Sequence, residues 1–243
     1  MQVLVIGAAG HLGSQVVYHL LSTGNLVTAF VRSRSKLLAA LPDACSTSPS
    51  LTIVEGDALS SSSLAAAIGS TACTAVVNCA GWPGFFPWQT STFPDIGRAV
   101  VDACVEALPQ GGRVWMLAGM FVCDRPGGGL LMDSTHVYVE SRQVLEYLQT
   151  KGTSLNWAML CPGLMQPGPP KPAQDLEAGY DIPPHWPVPS WLSRIPVVGF
   201  VAVSGAAMFG GYTLSFESVA VWLVENLEEE EYRRRRVALR VRS

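Results

Sequence analysis

The chain is expected to form an α/β fold in which a doubly wound parallel sheet carries helices on both faces. Three observations in its 243 residues lead there. An apolar run, Val3-Leu4-Val5-Ile6, leads straight into Gly7-x-x-Gly10-x-x-Gly13 and then into a helical pattern. Short apolar runs then alternate with helix-length runs as far as residue 160. Finally, runs such as Ala75-Val76-Val77-Asn78-Cys79 and Arg113-Val114-Trp115-Met116-Leu117 are mostly apolar, as burial under helices on both faces requires.

The helix that begins near His11 carries Leu12, Val16, Val17, Leu20 and Leu21 on one stripe. A strand over 26–31 follows, then a helix over 33–41, a loop rich in Ser and Pro, a strand over 51–54 and a helix over 60–68. Strands over 75–79, 112–118 and 155–160 alternate with helices over 94–108 and 135–151. Right-handed crossovers bring the carboxyl ends of these strands to one edge, where ligands bind. From Pro162 to Tyr212 the alternation stops and Pro and Trp accumulate, so loops and short helices are expected to cover that edge. Ser215 then caps a helix over 219–227, and a last strand over 237–241 returns to the core. The reading is a single domain over 1–243, with a ligand-binding core over 1–161, a covering annex over 162–214 and a closing helix and strand over 215–243.

Composition fits an enzyme with a large core. The chain is 49% hydrophobic and only 14% charged, with a formal net charge of -3, so no basic field attracts nucleic acid. The run Arg233 to Arg236 follows Glu228 to Glu231, and the two blocks are expected to cancel at a helix end and a solvated turn. Six cysteines at 45, 73, 79, 104, 123 and 161 lack Cys-x-x-Cys spacing and suit reduced packing positions. The four histidines at 11, 19, 136 and 185 show no paired spacing for a metal, and none is expected. No cleavable apolar leader precedes the first strand, which gives a cytoplasmic expectation. The stretch 195–212 lacks charge, but Pro196 and the glycines 199, 205, 210 and 211 weaken a spanning helix. It reads as an apolar lid over substrate, and a membrane contact there is the disfavoured reading.

The glycine spacing suits a dinucleotide. Gly7 lets the chain turn off the strand, Gly10 lets backbone approach a pyrophosphate, and Gly13 lets the helix pack closely. The diphosphate would lie on the backbone from Ala9 through His11 and Leu12, at the positive end of the helix. At the end of the second strand, where an acidic residue would hold a ribose 2′-hydroxyl, the chain places Arg32, with Arg34 and Lys36 close behind. A guanidinium pairs with a 2′-phosphate and stacks on adenine, so NADP(H) is the expected cofactor.

In the order of these elements, the chain resembles the short-chain dehydrogenase/reductases, in particular their atypical NmrA-like branch of Rossmann-like NAD(P)-binding proteins. The resemblance rests on Gly7 to Gly13, Arg32 after the second strand, Gly56-Asp57-Ala58 after the third, Asn78-Cys79-Ala80-Gly81 after the fourth and Pro162-Gly163 after the sixth. It implies that Asp57 and Ala58 border the adenine, with Asp57 also able to cap a turn. Cys79, Ala80 and Gly81 would line the ribose side, and Pro162, Gly163 and Leu164 would lie beside the nicotinamide. Many relatives use a Ser at the end of the fifth strand and a Tyr-x-x-x-Lys on the next helix. Here that strand ends Leu117-Ala118-Gly119-Met120, and the helix offers Tyr138-Val139-Glu140-Ser141-Arg142.

One helical turn would put Tyr138 and Arg142 on a common face, where Arg142 can hold ribose hydroxyls and keep positive charge beside the phenol. Tyr138 is the candidate acid and His136 a second one. Glu140 is expected on another face, solvated or paired. Trp82, Phe85, Phe86 and Trp88 in the loop after the fourth strand, Met120, Phe121 and Asp133 after the fifth, and Trp186 in the annex, with Trp191, Phe200, Met208 and Phe209 also available there, are the candidate substrate contacts, and they favour a flat apolar ligand. The function expected is an NADP(H)-dependent reductase, or the reverse dehydrogenase, acting on an apolar aromatic or polyketide-like carbonyl compound. The alternatives are a non-redox dehydratase, isomerase or cyclase on the same fold and a dinucleotide-sensing regulator. A homodimer is compatible with the resemblance.

Overall fold

The computed structural model describes residues 1–81, 84, 88–195 and 197–242. In chain order the elements are β1 (Gln2–Ile6), α1 (His11–Ser22), β2 (Leu26–Val31), α2 (Arg34–Ala40), α3 (Asp43–Ser46), β3 (Leu51–Glu55), α4 (Ser61–Ser70), β4 (Ala75–Asn78), α5 (Phe93–Ala107) and β5 (Arg113–Leu117). They continue with α6 (Met132–Thr135), α7 (Ser141–Thr150), β6 (Asn156–Leu160), β7 (Met165–Gln166), β8 (Leu176–Tyr180), α8 (Ser190–Ser193), α9 (Val198–Phe209), β9 (Leu214–Ser215), α10 (Phe216–Glu225) and β10 (Arg236–Val241).

Eight strands form one sheet in the order β3-β2-β1-β4-β5-β6-β10-β8, and β7 and β9 form a separate parallel pair. The sheet is parallel except for β8, which runs antiparallel to β10. Side chains alternate across β1: Val3 and Val5 join Leu12, Val16, Val17 and Leu20 of α1 and Val219 and Leu223 of α10. Leu4 and Ile6 face the other way, onto Leu64 and Ile68 of α4, Val100 of α5 and Val144 and Leu148 of α7. Each such fully buried aliphatic side chain contributes roughly 1.5–3 kcal/mol against the chain entropy lost. The doubly wound expectation therefore holds, and the order reverses between β1 and β4, which opens a crevice above their carboxyl ends.

Three local expectations change. The helix expected over 135–151 is broken: α6 stops at His136, whose φ is 56°, Tyr138 follows at φ 54°, and α7 begins only at Ser141. Val137 and Val139 flank the break, and β-branched residues weaken a helix at such a point. Tyr138 and Arg142 are thus not a turn apart on one helix face. The charged run also behaves differently from the expected mutual cancellation. Arg236 reaches Asp124 at 2.7 Å and Asp181 at 3.1 Å, and Arg235 reaches Asp181 at 2.8 Å. Arg236 also donates to Val122 O, so it ties the segment after β5 to the end of β8. Glu230 accepts from Asn156, and buried Arg113 donates to Leu227 O and Glu229 O, which anchors the other half of the run. Thirdly, the irregular annex contains β8, which adds to the main sheet through β10. Ser215 caps α10 as expected, accepting from Ser218 N at 3.0 Å.

Candidate functional site

The glycine turn is shaped by close backbone approach. Gly7 has φ 74°, and a Cβ there would stand 2.8 Å from Ala80 N. A Cβ on Gly13 would stand 2.3 Å from Gly7 O and 2.9 Å from Ala8 Cα, so α1 rests directly on the turn. Gly10 N donates to Gly7 O at 2.9 Å, and Gly10 and His11 are exposed at the mouth. The first turn of α1 holds no acidic residue, and no side chain caps its start. Free amide groups at the positive end of a twelve-residue helix, beside a turn with no room for side chains, suit a diphosphate. His11 also lies flat on Phe216 at the start of α10, with ring centroids 5.3 Å apart and 25° between planes, an arrangement that motif reading does not anticipate.

At the adenosine end, Arg32 follows β2 and is exposed, as are Arg34 and Lys36. Ser33 caps α2 by accepting from Lys36 N at 3.3 Å. Beside them, at the end of β3, Glu55 accepts from Arg34 N at 2.7 Å. Glu55 opposes Val31 in the sheet register, so only the strand pairing brings it to this turn. Asp57 turns its carboxylate onto Leu59 N at 3.0 Å, the local turn-capping role, while Ala58 is buried. Asn78 shapes the turn after β4 by accepting from Ala80 N at 3.1 Å. Burial pushes the Cys79 thiol up to about 12, so it stays protonated and packs as a small apolar group. Gly81 follows at φ 122° against the Phe93 ring.

Above β5 and β6, Met120 N donates to Pro162 O at 3.0 Å, joining the two strand ends. A Cβ on Gly163 would stand 2.6 Å from Tyr212 O, and Leu164 is exposed. Met120 is fully buried beneath this junction. Tyr138 lies beside Gly119 at the end of β5, and its ring is 5.9 Å from that of Phe121. Burial, and then the Glu140 carboxylate, push its phenol above the ordinary tyrosine range. Arg142 bonds Asp133. His136 is exposed at the end of α6. Glu140, expected to be solvated or paired, is buried, and it accepts from Gly84 N in the loop that follows β4.

Trp186 is half-buried 5.8 Å from the Tyr212 ring, whereas Trp88 is 76% exposed. Trp82, Phe85 and Phe86 lie outside the described residues. The structure thus gathers the glycine turn, Tyr138, Met120 and Pro162 to Leu164 along one sheet edge. It sets His136 and Trp88 outward and buries Glu140, and it adds Glu55, which the sequence reading did not single out.

A profile of the NAD(P)H-binding family matches residues 7–183. An uncharacterised chloroplastic protein of Arabidopsis thaliana is 28% identical over 181 residues, covering 70% of this chain and 61% of the plant protein. The chain therefore spans about six-tenths of that relative's length. Among solved structures, a protein of Bacteroides thetaiotaomicron provisionally assigned as an epimerase is 19% identical with a TM-score of 0.70, covering 100% of this chain and 97% of that one. An anaerobillin reductase of Escherichia coli O157:H7 is 16% identical with a TM-score of 0.64, covering 99% and 97%. At those identities the likeness is one of fold.

Proposed function

Because the chain belongs to the NAD(P)H-binding family, we propose that it is an NADP(H)-dependent oxidoreductase that reduces, or in reverse oxidises, an apolar aromatic or polyketide-like carbonyl compound. The observation that carries this reading is the placement of the Tyr138 phenol at the end of β5, on the same sheet edge as the uncapped α1 and the Gly7–Gly13 turn. A bound dihydronicotinamide would supply a hydride to the carbonyl carbon.

The chain's own residues would do the rest. Tyr138, held protonated by burial and by Glu140, donates its proton to the carbonyl oxygen and recovers one from solvent. The junction of Met120 with Pro162 braces the floor of the substrate site from beneath. Phe121, Tyr138 and Trp186 supply aromatic faces, which favours a flat apolar ligand over a charged one. Arg32, Arg34 and Lys36 favour a 2′-phosphate. Of the acids at that end, Glu55 has its Oε1 occupied by Arg34 N and Asp57 turns its carboxylate onto Leu59 N.

The test is consumption of NADPH over a panel of aromatic ketones and quinones, with NADPH and NADH titrated in parallel by fluorescence. The reading expects tighter NADPH binding, reversed by Arg32→Asp. Equal affinities before and after that change would remove the cofactor assignment, and tight binding without hydride transfer across the panel would remove the activity.

A second reading keeps the cofactor and drops net redox, giving a dehydratase, isomerase or cyclase. It is favoured by the commitment of Arg142 to Asp133 and by an upward-shifted phenol, which does not suit a proton relay running through a phenolate. Product formation that survives removal of all nicotinamide would select it.

A further inference from the structure

The burial of α9 is inverted. Gly199, Val203 and Ala207 face the protein, whereas Val198, Val201, Met208 and Phe209 are 46%, 62%, 55% and 85% exposed. A helix packed only for its own core would place its larger apolar residues inward. Here, Val203 apart, the inward residues are small and the largest apolar side chains lie outside. Val197 just before the helix is 76% exposed, and Ile195 and Trp191, on the segment and helix α8 that lead into it, are 42% and 64% exposed. A continuous apolar face of this kind marks an interaction surface rather than scattered solvent exposure.

Charge identifies the occupant. Between Arg194 and Glu217 the sequence carries no ionisable acid or base except Tyr212, which is buried. Arg194 precedes α9 and donates to Gly127 O at 2.9 Å, and Arg240 lies on the far end of the helix and donates to Gly210 O at 2.8 Å. Arg194 is exposed and Arg240 of β10 part-buried; neither guanidinium has a carboxylate within 4.0 Å among the described residues, Glu177, which stands opposite Arg240 in the sheet register, being paired with His185. An exposed cation thus stands at the start of the apolar face and a part-buried one at its end, and the face itself carries no acid. An anionic bilayer matches both features at once, taking the apolar side chains into its interface and the guanidinium groups among its headgroups.

We propose that the outer face of α9, with Trp191 beside it, is a docking surface for an anionic lipid bilayer on which the protein lies. The helix has 12 residues, about 18 Å of length against a hydrocarbon core of about 30 Å, and no helix among the described residues is long and apolar enough to cross. The disfavoured reading of 195–212, a membrane contact, is thereby taken up beside the favoured one of an apolar lid. The helix also packs against α6, so the docked face is the outside of the covering over the candidate site. An apolar substrate would then reach the site from the lipid phase.

Co-sedimentation of the full chain with phosphatidylcholine vesicles, and with vesicles of phosphatidylcholine and phosphatidylglycerol, tests this without reference to cofactor or turnover. Strong binding to the anionic vesicles and weak binding to the neutral ones is expected, falling as salt is raised. The triple change Val201→Ser, Met208→Ser, Phe209→Ser, all at exposed positions, should lower partition at least ten-fold, and Arg194→Gln about five-fold on anionic vesicles only. Wild-type protein that stays in the supernatant with both vesicles overturns the proposal, as does a triple variant that sediments like wild type. A concentration-dependent dimer seen by ultracentrifugation, lost in the triple variant and without vesicle binding, would assign the face to a second copy instead.

Discussion

Adding one methyl group at Gly13 should separate α1 from the turn it rests on. In Gly13→Ala the new Cβ would be 2.3 Å from Gly7 O and 2.9 Å from Ala8 Cα, against an ordinary separation of roughly 3.5–4.0 Å. Both atoms are backbone, and the turn is itself pinned by Gly7 N on Phe30 O and Gly10 N on Gly7 O. Relief therefore requires α1 to lift by about 1 Å, which loosens Leu12, Val16 and Val17 from the sheet. Overpacking of this kind costs roughly 1–3 kcal/mol, or about 2–12 °C in Tm for a domain of this size. The amide groups at the start of α1 move with it. Losing two charge-assisted hydrogen bonds to a diphosphate, at about 1.5 kcal/mol or more each, lowers affinity at least about a hundred-fold.

Gly205→Ala is the matched control, since its Cβ meets nothing within 4 Å on a regular helix. It should stabilise by about 0.5–1 kcal/mol. The assays are urea denaturation and titration of NADPH by fluorescence. A Gly13→Ala protein with wild-type midpoint and wild-type NADPH affinity would refute the account of how α1 and the turn make the cradle.

Other changes test the rest of the site. Tyr138→Phe should lower turnover on a reducible substrate by about 10²–10⁴-fold while NADPH affinity stays unchanged in the same titration. Arg236→Met leaves the carboxylates of Asp124 and Asp181 without their main partner and should cost about 2–4 kcal/mol in urea denaturation, less than a fully buried pair because Asp124 is part-exposed. Glu140→Ala strands the buried Gly84 N–H and should cost about 1–3 kcal/mol, whereas Glu140→Gln keeps an acceptor, costs less, and lets the Tyr138 phenol titrate lower by ring-carbon NMR. Stability should fall on acidification in two stages. Burial holds His19 below its ordinary value of 6.5 against the pull of Glu217 and Glu225, so the unfolded chain takes that proton first, and the His19 contribution is lost as pH falls below about 6.5. Burial raises Asp181, but its bonds to Arg235 and Arg236 outweigh this and hold it below 3.8, so its contribution persists to lower pH before it too is lost. Urea midpoints measured from pH 8 to pH 3 check both, and a midpoint that rises on acidification would contradict them.

The sheet was legible because its strands are short apolar runs with nothing else to be, and Gly7, Gly10 and Gly13 fix where the first of them ends. The capping role of Ser215 was equally plain, since Ser followed by a helical stripe has one common use. The stretch 135–141 was not legible. Its periodicity suits a helix, and only the buried setting of Val137, Glu140 and Ser141 holds two successive left-handed turns at His136 and Tyr138. Glu55 was hidden because its place beside Arg34 depends on the register of β3 against β2, which no local pattern encodes. The arginine run misled for a related reason. Its partners Asp124 and Asp181 lie far away in sequence, and proximity to Glu228–Glu231 suggested a nearer answer.

The position of β10 between β6 and β8 has a consequence for how the molecule assembles. Strand 176–180 has no other neighbour in the main sheet, so it can join only after residues 236–241 have emerged and seated themselves against 156–160. Until then the annex lacks its place in the sheet and is held only by contacts such as Met120 N on Pro162 O and α9 on α6, and β6 presents an unpaired rim of amides to any passing strand. Late arrival of the closing strand is thus the interval in which this chain is most exposed to mispairing, and damage to that strand would release the roof and bare the rim together.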